Sequence, residues 1–104
     1  MRPLRLMADY DCHPLWEPGA DPYNVAPSSL GIPAELATAL QDWADQYTAT
    51  LDRWDPTASG FADESVAEAW LRRGAHFASR MRDEGYAVTY LHQGTRGRDL
   101  VAGT

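Results

Sequence analysis

The chain has 104 residues, 44% of them hydrophobic, which suits one domain with a single core. Its formal net charge of −6 argues against nucleic acid as a partner, because binding phosphates requires a basic surface. The first eleven residues carry charges on both sides of a very short apolar run, so we expect no secretory signal there. No segment approaches the ~20 apolar residues of a membrane span. We therefore expect a cytoplasmic protein with no membrane partner, and a single cysteine, unable to form an internal disulfide, agrees with a reducing compartment.

The first predicted element is a short strand over residues 4 to 10. Its residues alternate, with Leu4, Leu6 and Ala8 on one face, and Pro3 marks its start. Residues 11 to 32 contain four prolines and two glycines, which exclude a helix of ordinary length. This segment is predicted to be a long loop, a kind of segment that often carries function.

A first helix is predicted from Pro33 to Trp54, because proline suits the first turn and a periodic apolar stripe follows. A second helix is predicted from about Asp63 to Glu84, with Asp63 as the N-cap and Gly85 just beyond the end. The stripe of the first helix is Leu36, Leu40, Trp43, Tyr47, Leu51 and Trp54. That of the second is Val66, Trp70, Gly74, Phe77 and Met81, widened by Ala67 and Ala78.

Glycine at position 74 lies inside this second stripe. Because glycine destabilises a helix interior by roughly 1 kcal/mol, we expect it to allow close approach of an aromatic side chain of the first helix. The link between the helices, residues 55 to 61, contains Pro56 and Gly60 and should reverse the chain.

The last predicted element is a strand over residues 86 to 92, with Tyr86, Val88 and Tyr90 on one face. Residues 93 to 104 show no periodicity and form a tail beyond a core of about residues 3 to 92. The prediction is one α+β domain, in the order β-loop-α-α-β, with an antiparallel helical hairpin packed on a small antiparallel sheet.

The sequence DYDCHPLW, residues 9 to 16, brings Cys12 and His13 together and raises the question of a reactive or metal site. Adjacent side chains point apart in an extended chain, so a catalytic dyad or a zinc site would need His76 or His92 to converge on them. No paired ligand spacing supports a metal site. We prefer a structural interpretation, in which Cys12 is a small buried side chain and Leu15 with Trp16 anchors the loop.

Acidic residues on the first predicted helix form the other candidate site. Asp42, Asp45 and Asp52 have no basic residue three or four positions away on that helix, so their repulsion is uncompensated. This pattern favours a surface for a basic partner, with an ordinary solubilising surface as the alternative. Arginines of the second helix, by contrast, have acidic neighbours at helical spacing and are interpreted as a solvated face.

Three stretches together carry a family resemblance: D-Y-D-C-x-P-L-W near the start, LQDWADQYTATLDRWDPTASGF in the middle, and AWLRRGAHFASRMRDEG after it. Over about residues 8 to 92 the chain resembles small bacterial proteins that we associate with immunity proteins of polymorphic toxin systems. The shared motifs are structural, and the resemblance supplies no catalytic residue.

The resemblance implies a non-enzymatic inhibitor that binds a cognate toxin with a basic surface and uses no cofactor or metal. The predicted partner-binding residues are Asp42, Asp45 and Asp52, together with the loop around Asp21 and Tyr23. Two alternatives stay open. One is a homodimeric module that pairs through a strand edge, and the other is a small enzyme that would bring Cys12, His13 and His76 into one pocket.

Overall fold

Strands and helices were assigned in a computed structural model that describes residues 3–21, 23–52, 54 and 60–91. In chain order they are strands β1 (Pro3–Leu6), β2 (Leu15–Trp16) and β3 (Asn24–Val25), helices α1 (Ala34–Thr48) and α2 (Glu64–Asp83), and strand β4 (Ala87–Tyr90). A 3₁₀ turn, Pro27–Ser29, precedes α1. The predicted α+β class is confirmed. Pro56 of the predicted link, His92 and the tail 93–104 lie outside the described residues.

The sheet has four strands in the order β3-β2-β1-β4. β1 pairs antiparallel with β2, and β2 pairs antiparallel with β3, but β1 and β4 run parallel, with Leu4 opposite Val88. The prediction that the two terminal strands pair antiparallel was therefore wrong, and the sheet is mixed. Treating all of residues 11 to 32 as loop was also wrong, because this segment supplies β2 and β3.

The parallel pairing follows from the directions of the other elements. The helices are antiparallel as predicted, since Trp43 contacts Phe77 while Tyr47, further along α1, contacts Phe61 before α2. α2 and β4 are joined by a tight turn and are also antiparallel. β1 and α1 must then point the same way. The turn from β1 into β2 and the turn from β2 into β3 supply the two chain reversals that lie between β1 and α1.

Helix α1 ends six residues earlier than predicted. Beyond Thr48 the chain makes short turns: the Thr50 hydroxyl donates to the Tyr47 carbonyl at 2.6 Å, and Gly60 N donates to the Thr50 carbonyl at 3.1 Å. These bonds satisfy backbone groups that a longer helix would have used. Leu51 is consequently half-buried and Trp54 is 99% exposed, so the predicted apolar stripe stops at Tyr47.

Helix α2 has the predicted boundaries. Its N-cap is Asp63, whose Oδ1 accepts a hydrogen bond from Val66 N at 3.0 Å. At the other end Gly85 has φ +101° and Tyr86 N donates to the Met81 carbonyl at 3.2 Å, the bond pattern of a glycine-terminated helix. One detail differs, because Val66 in the predicted stripe is 43% exposed.

The two helices meet at a stacked pair of tryptophans. The ring centroids of Trp43 and Trp70 lie 4.2 Å apart, and the angle between the ring planes is 4°. Each indole N–H donates to the other residue's backbone carbonyl at 2.9 Å. As predicted, Gly74 lies against an aromatic side chain of α1, since a Cβ there would meet Trp43 Cζ2 at 2.6 Å and also the Tyr90 hydroxyl. β1 ends at Leu6, before the predicted end at residue 10. On the predicted strand faces Leu4, Leu6, Ala8, Val88 and Tyr90 are buried, whereas Tyr86 is half-buried. Other buried core residues are Leu15, Leu36, Leu40 and Met81.

In the part of the chain that the structure describes, neither helix combines the length and the apolar character needed to cross a bilayer.

Candidate functional site

The predicted acidic residues occupy two structural settings. Asp42 and Asp45 are exposed and lie about one turn apart on α1. Asp52 follows the end of α1, where its Oδ1 accepts a hydrogen bond from Trp54 N at 3.0 Å. The prediction that all three acids share one helical face was therefore wrong for Asp52, because α1 ends before it.

A hydrogen-bonded chain of side chains fixes one end of this acidic surface. Gln41 Nε2 donates to Asp45 Oδ1 at 3.1 Å, and Gln41 Oε1 lies 3.0 Å from His13 Nδ1. Because the amide nitrogen of Gln41 is turned toward the carboxylate, its oxygen accepts and His13 Nδ1 carries the hydrogen. The segment after β1 is thereby attached to the polar face of α1.

Asn24 of β3 holds the other side of His13. His13 N donates to Asn24 Oδ1 at 3.0 Å, while Asn24 Nδ2 donates to the carbonyls of His13 and Leu15 at 2.8 and 3.1 Å. An asparagine side chain can make both kinds of bond at once. Asn24 and Gln41 were not among the residues predicted from the sequence, because isolated amide residues carry no spacing signal.

A shallow groove of about 450 Å³ runs beside these residues, between the 3₁₀ turn and α1. Its rim includes His13, Gln41 and Asp42. Its apolar lining consists of Ala26, Pro27, Ile32, Ala34 and Ala37. The groove therefore combines a largely apolar lining with one carboxylate, that of Asp42, an arrangement suited to an apolar side chain flanked by a basic one.

Asp21 and Tyr23 lie in the connection between β2 and β3. Asp21 is exposed, and Tyr23 is 58% exposed with its ring 5.4 Å from that of Trp16. Asn24 is hydrogen-bonded to His13, and His13 to Gln41, so the base of this hairpin is joined to α1. The structure thus links the hairpin to α1 through His13, which the sequence marked only as a possible metal or catalytic residue, and through Asn24 and Gln41, which it did not single out.

Cys12 is half-buried, where a buried side chain was expected, and its thiol donates to the Tyr10 carbonyl at 3.4 Å. Burial, and next the negative charges of Asp9 and Asp11, raise the pKa of the Cys12 thiol. A nucleophilic cysteine requires the reverse, a lowered pKa. The expected anchoring by Leu15 and Trp16 is present: Leu15 is fully buried, and Trp16 Nε1 donates to a backbone carbonyl.

The histidines of the described residues have separate surroundings. His13 borders the groove, whereas His76 lies on α2 with its ring 5.9 Å from that of Phe77. Across residues 3–21, 23–52, 54 and 60–91, no three His, Cys, Asp or Glu side chains converge as a metal site would require. His92, the remaining candidate, lies outside these residues.

Comparison with protein families places this geometry in context. Residues 2–93 match the family described as Serratia CdiI immunity protein-like. The chain belongs to this CdiI immunity protein-like family. The resemblance predicted from the sequence is confirmed, and membership supports a toxin-neutralising role in contact-dependent inhibition systems. No individually curated protein shows significant similarity to the chain.

In this CdiI-like chain, the outer edge of β4 is partly covered. Leu91 N donates to the Leu6 carbonyl, so the alternate residue Val88 directs its carbonyl away from β1. Arg82 of α2 donates to that carbonyl through Nε at 3.1 Å and Nη2 at 2.9 Å. The opposite edge strand, β3, has only two residues. Both features hinder the addition of another strand.

Proposed function

We propose that this chain is a non-enzymatic immunity protein that neutralises a cognate toxin by binding it through the α1 surface. We define the α1 surface as Asp42 and Asp45 with the adjoining groove bordered by His13 and Gln41. The observation that carries the proposal is a largely apolar groove bordered by exposed Asp42, with Asp45 one turn away, on a member of an immunity protein family. The toxin would present a basic surface to it.

Charge supports this choice of surface. Asp42 and Asp45 are exposed on α1 without a base at helical spacing, in a chain of net charge −6. Such carboxylates repel one another until a basic partner approaches, and the attraction speeds the encounter. The bond from Gln41 holds the Asp45 carboxylate in place, which reduces the side-chain ordering that binding requires.

The predicted residues outside α1 extend the same proposal. Asp21 and Tyr23, on the hairpin joined to α1 through Asn24 and His13, would contact the toxin at the margin of the α1 surface. Asp52 would contact the toxin beyond the C-terminal end of α1. Tyrosine suits this position because its ring and hydroxyl serve apolar and polar contacts together.

Neither alternative gains support from the described residues. Pairing through a strand edge is opposed by Arg82, which occupies the Val88 carbonyl. A cysteine enzyme is opposed by the raised pKa of Cys12 and by the separate position of His76. Binding by complementary surface requires no chemistry, so Cys12→Ala should retain full inhibition.

The test is reversal of charge on α1. Asp42→Arg with Asp45→Arg should slow association with the purified toxin domain encoded beside this chain's gene by about tenfold at low salt, and weaken its salt dependence. The matched control, Glu68→Arg with Asp83→Arg, makes the same change in net charge on the exposed side of α2. Stopped-flow association at several salt concentrations measures both.

Two outcomes would contradict different parts of the proposal. Equal rates and salt dependence in the two double variants would remove the α1 surface from the interface. A wild-type chain that neither binds nor inhibits the toxin domain would overturn the immunity function for that toxin.

A further inference from the structure

Trp54 is the most exposed large apolar side chain among the described residues, with 99% of its surface accessible. Its backbone is nevertheless held, because Trp54 N donates to Asp52 Oδ1 at 3.0 Å. Such a bond from an aspartate to the residue two positions on defines a local turn. The turn therefore presents an indole ring to solvent just beyond the C-terminal end of α1.

The other three tryptophans all have packing roles. Trp43 and Trp70 are 1% exposed and hydrogen-bonded to each other, and Trp16 is half-buried with its N–H bonded to the Met7 carbonyl. Trp54 thus differs from every other tryptophan in the chain. A large ring left in water has no stabilising role in the isolated fold, and tryptophan is the residue type most enriched among binding hot spots.

We propose that Trp54 is the principal apolar anchor of the toxin complex, and that it inserts into an apolar pocket on the toxin. This inference rests on the proposed immunity function and adds the residue that holds the complex together. The pocket should have basic side chains at its rim, because Asp52 adjoins Trp54 and the acidic α1 surface precedes it.

The α1 surface and Trp54 then have different kinetic roles. Exposed charges act at a distance and change the rate of association. A ring buried at the centre of a contact acts only once the complex has formed, so its loss raises the rate of dissociation. This division separates a failure of the present inference from a failure of the proposed function.

The experiment compares Trp54→Ala, Trp54→Phe and a control, Leu91→Ala, whose side chain is also apolar and 39% exposed. Dissociation and association rates are measured against the purified toxin domain encoded beside this chain's gene. Trp54→Ala should dissociate at least about thirtyfold faster, an effect of ~2 kcal/mol that defines a hot spot, with association nearly unchanged. Trp54→Phe should lie between, and Leu91→Ala should match the wild type.

Tryptophan fluorescence gives a second measurement. In the free chain, acrylamide should quench an exposed component that Trp54→Phe removes, because Trp43 and Trp70 are shielded. In the complex, that component should be protected.

Three results would overturn the inference. If the wild-type complex is tight and Trp54→Ala dissociates at the wild-type rate, the role of Trp54 is overturned while the proposed function stands. A wild-type dimer in sedimentation that Trp54→Ala dissociates would assign Trp54 to a second copy of the chain. Failure of the wild type to bind the toxin domain would overturn it together with the proposed function.

Discussion

Trp43 and Trp54 fall on one predicted helical stripe, yet the structure leaves the first 1% exposed and the second 99% exposed. Trp43 stacks on Trp70 at the helix contact and donates its N–H to the Trp70 carbonyl. Trp54 has no such setting, because α1 ends at Thr48. Apolar periodicity therefore identifies a buried face only as far as the helix and its packing partner both continue.

The largest expected effect comes from removing the buried member of this pair. Trp43→Ala should lower the free energy of unfolding by ~3–5 kcal/mol, because it leaves a cavity beside Trp70 and removes the hydrogen bond from the Trp43 indole to the Trp70 carbonyl. Trp54→Ala should change it by less than about 0.5 kcal/mol. Urea denaturation followed by far-UV circular dichroism measures both. Similar losses in the two variants would mean that Trp54 also packs in the fold.

A smaller effect is expected where Trp43 approaches α2. Gly74→Ala gains helix propensity of about 1 kcal/mol, but its methyl group would overlap Trp43 Cζ2 at 2.6 Å and the Tyr90 hydroxyl. Overpacking of ~1–3 kcal/mol should outweigh the gain, so thermal unfolding should begin at a lower temperature. Gly31→Ala is the control, since its Cβ would meet no atom within 4 Å. A more stable Gly74→Ala protein would contradict close approach at this site.

The smallest effect concerns Tyr90, on the same contact. Its hydroxyl donates to the Leu71 carbonyl at 2.9 Å, and burial raises its pKa above the ordinary 10.0. Because the pKa is raised in the folded state, the contribution of the Tyr90 hydroxyl to the free energy of unfolding is complete below pH 10 and is lost as the pH rises further. Tyr90→Phe should therefore lose about 1 kcal/mol at neutral pH, with the difference from the wild type shrinking in alkali.

Denaturation at pH values from 7 to about 11.5 measures this change. Tyr23→Phe, at an exposed tyrosine, is the control and should follow the wild-type pH profile. If the difference in the free energy of unfolding between Tyr90→Phe and the wild type stays constant across this range, burial does not oppose ionisation of Tyr90.

Much of the candidate partner site required the tertiary structure. Asp42 and Asp45 could be identified from sequence, because missing bases at helical spacing are a local pattern. The sequence could not show that His13 is hydrogen-bonded to Gln41 and Asn24, since these bonds connect three separate segments of the chain. The burial of Trp54 was predicted wrongly because α1 ends at Thr48 in short turns, and the Thr50 carbonyl, which lies outside the helix, accepts a hydrogen bond from Gly60 N, a distant residue.

The sequence by itself determined the elements whose signals are local. Asp63 and Gly85 mark the ends of α2, because capping involves only neighbouring backbone groups. Gly74 indicated a close contact, because glycine destabilises a helix interior and its presence there needs a compensating reason. Strand direction was decided only in three dimensions. Two short strands, β2 and β3, carry too few residues to show alternation; β2 forms on the hydrogen-bonding edge of β1, and β3 forms on the edge of β2. Their hairpin restores the direction of the chain, so β4 meets β1 in parallel.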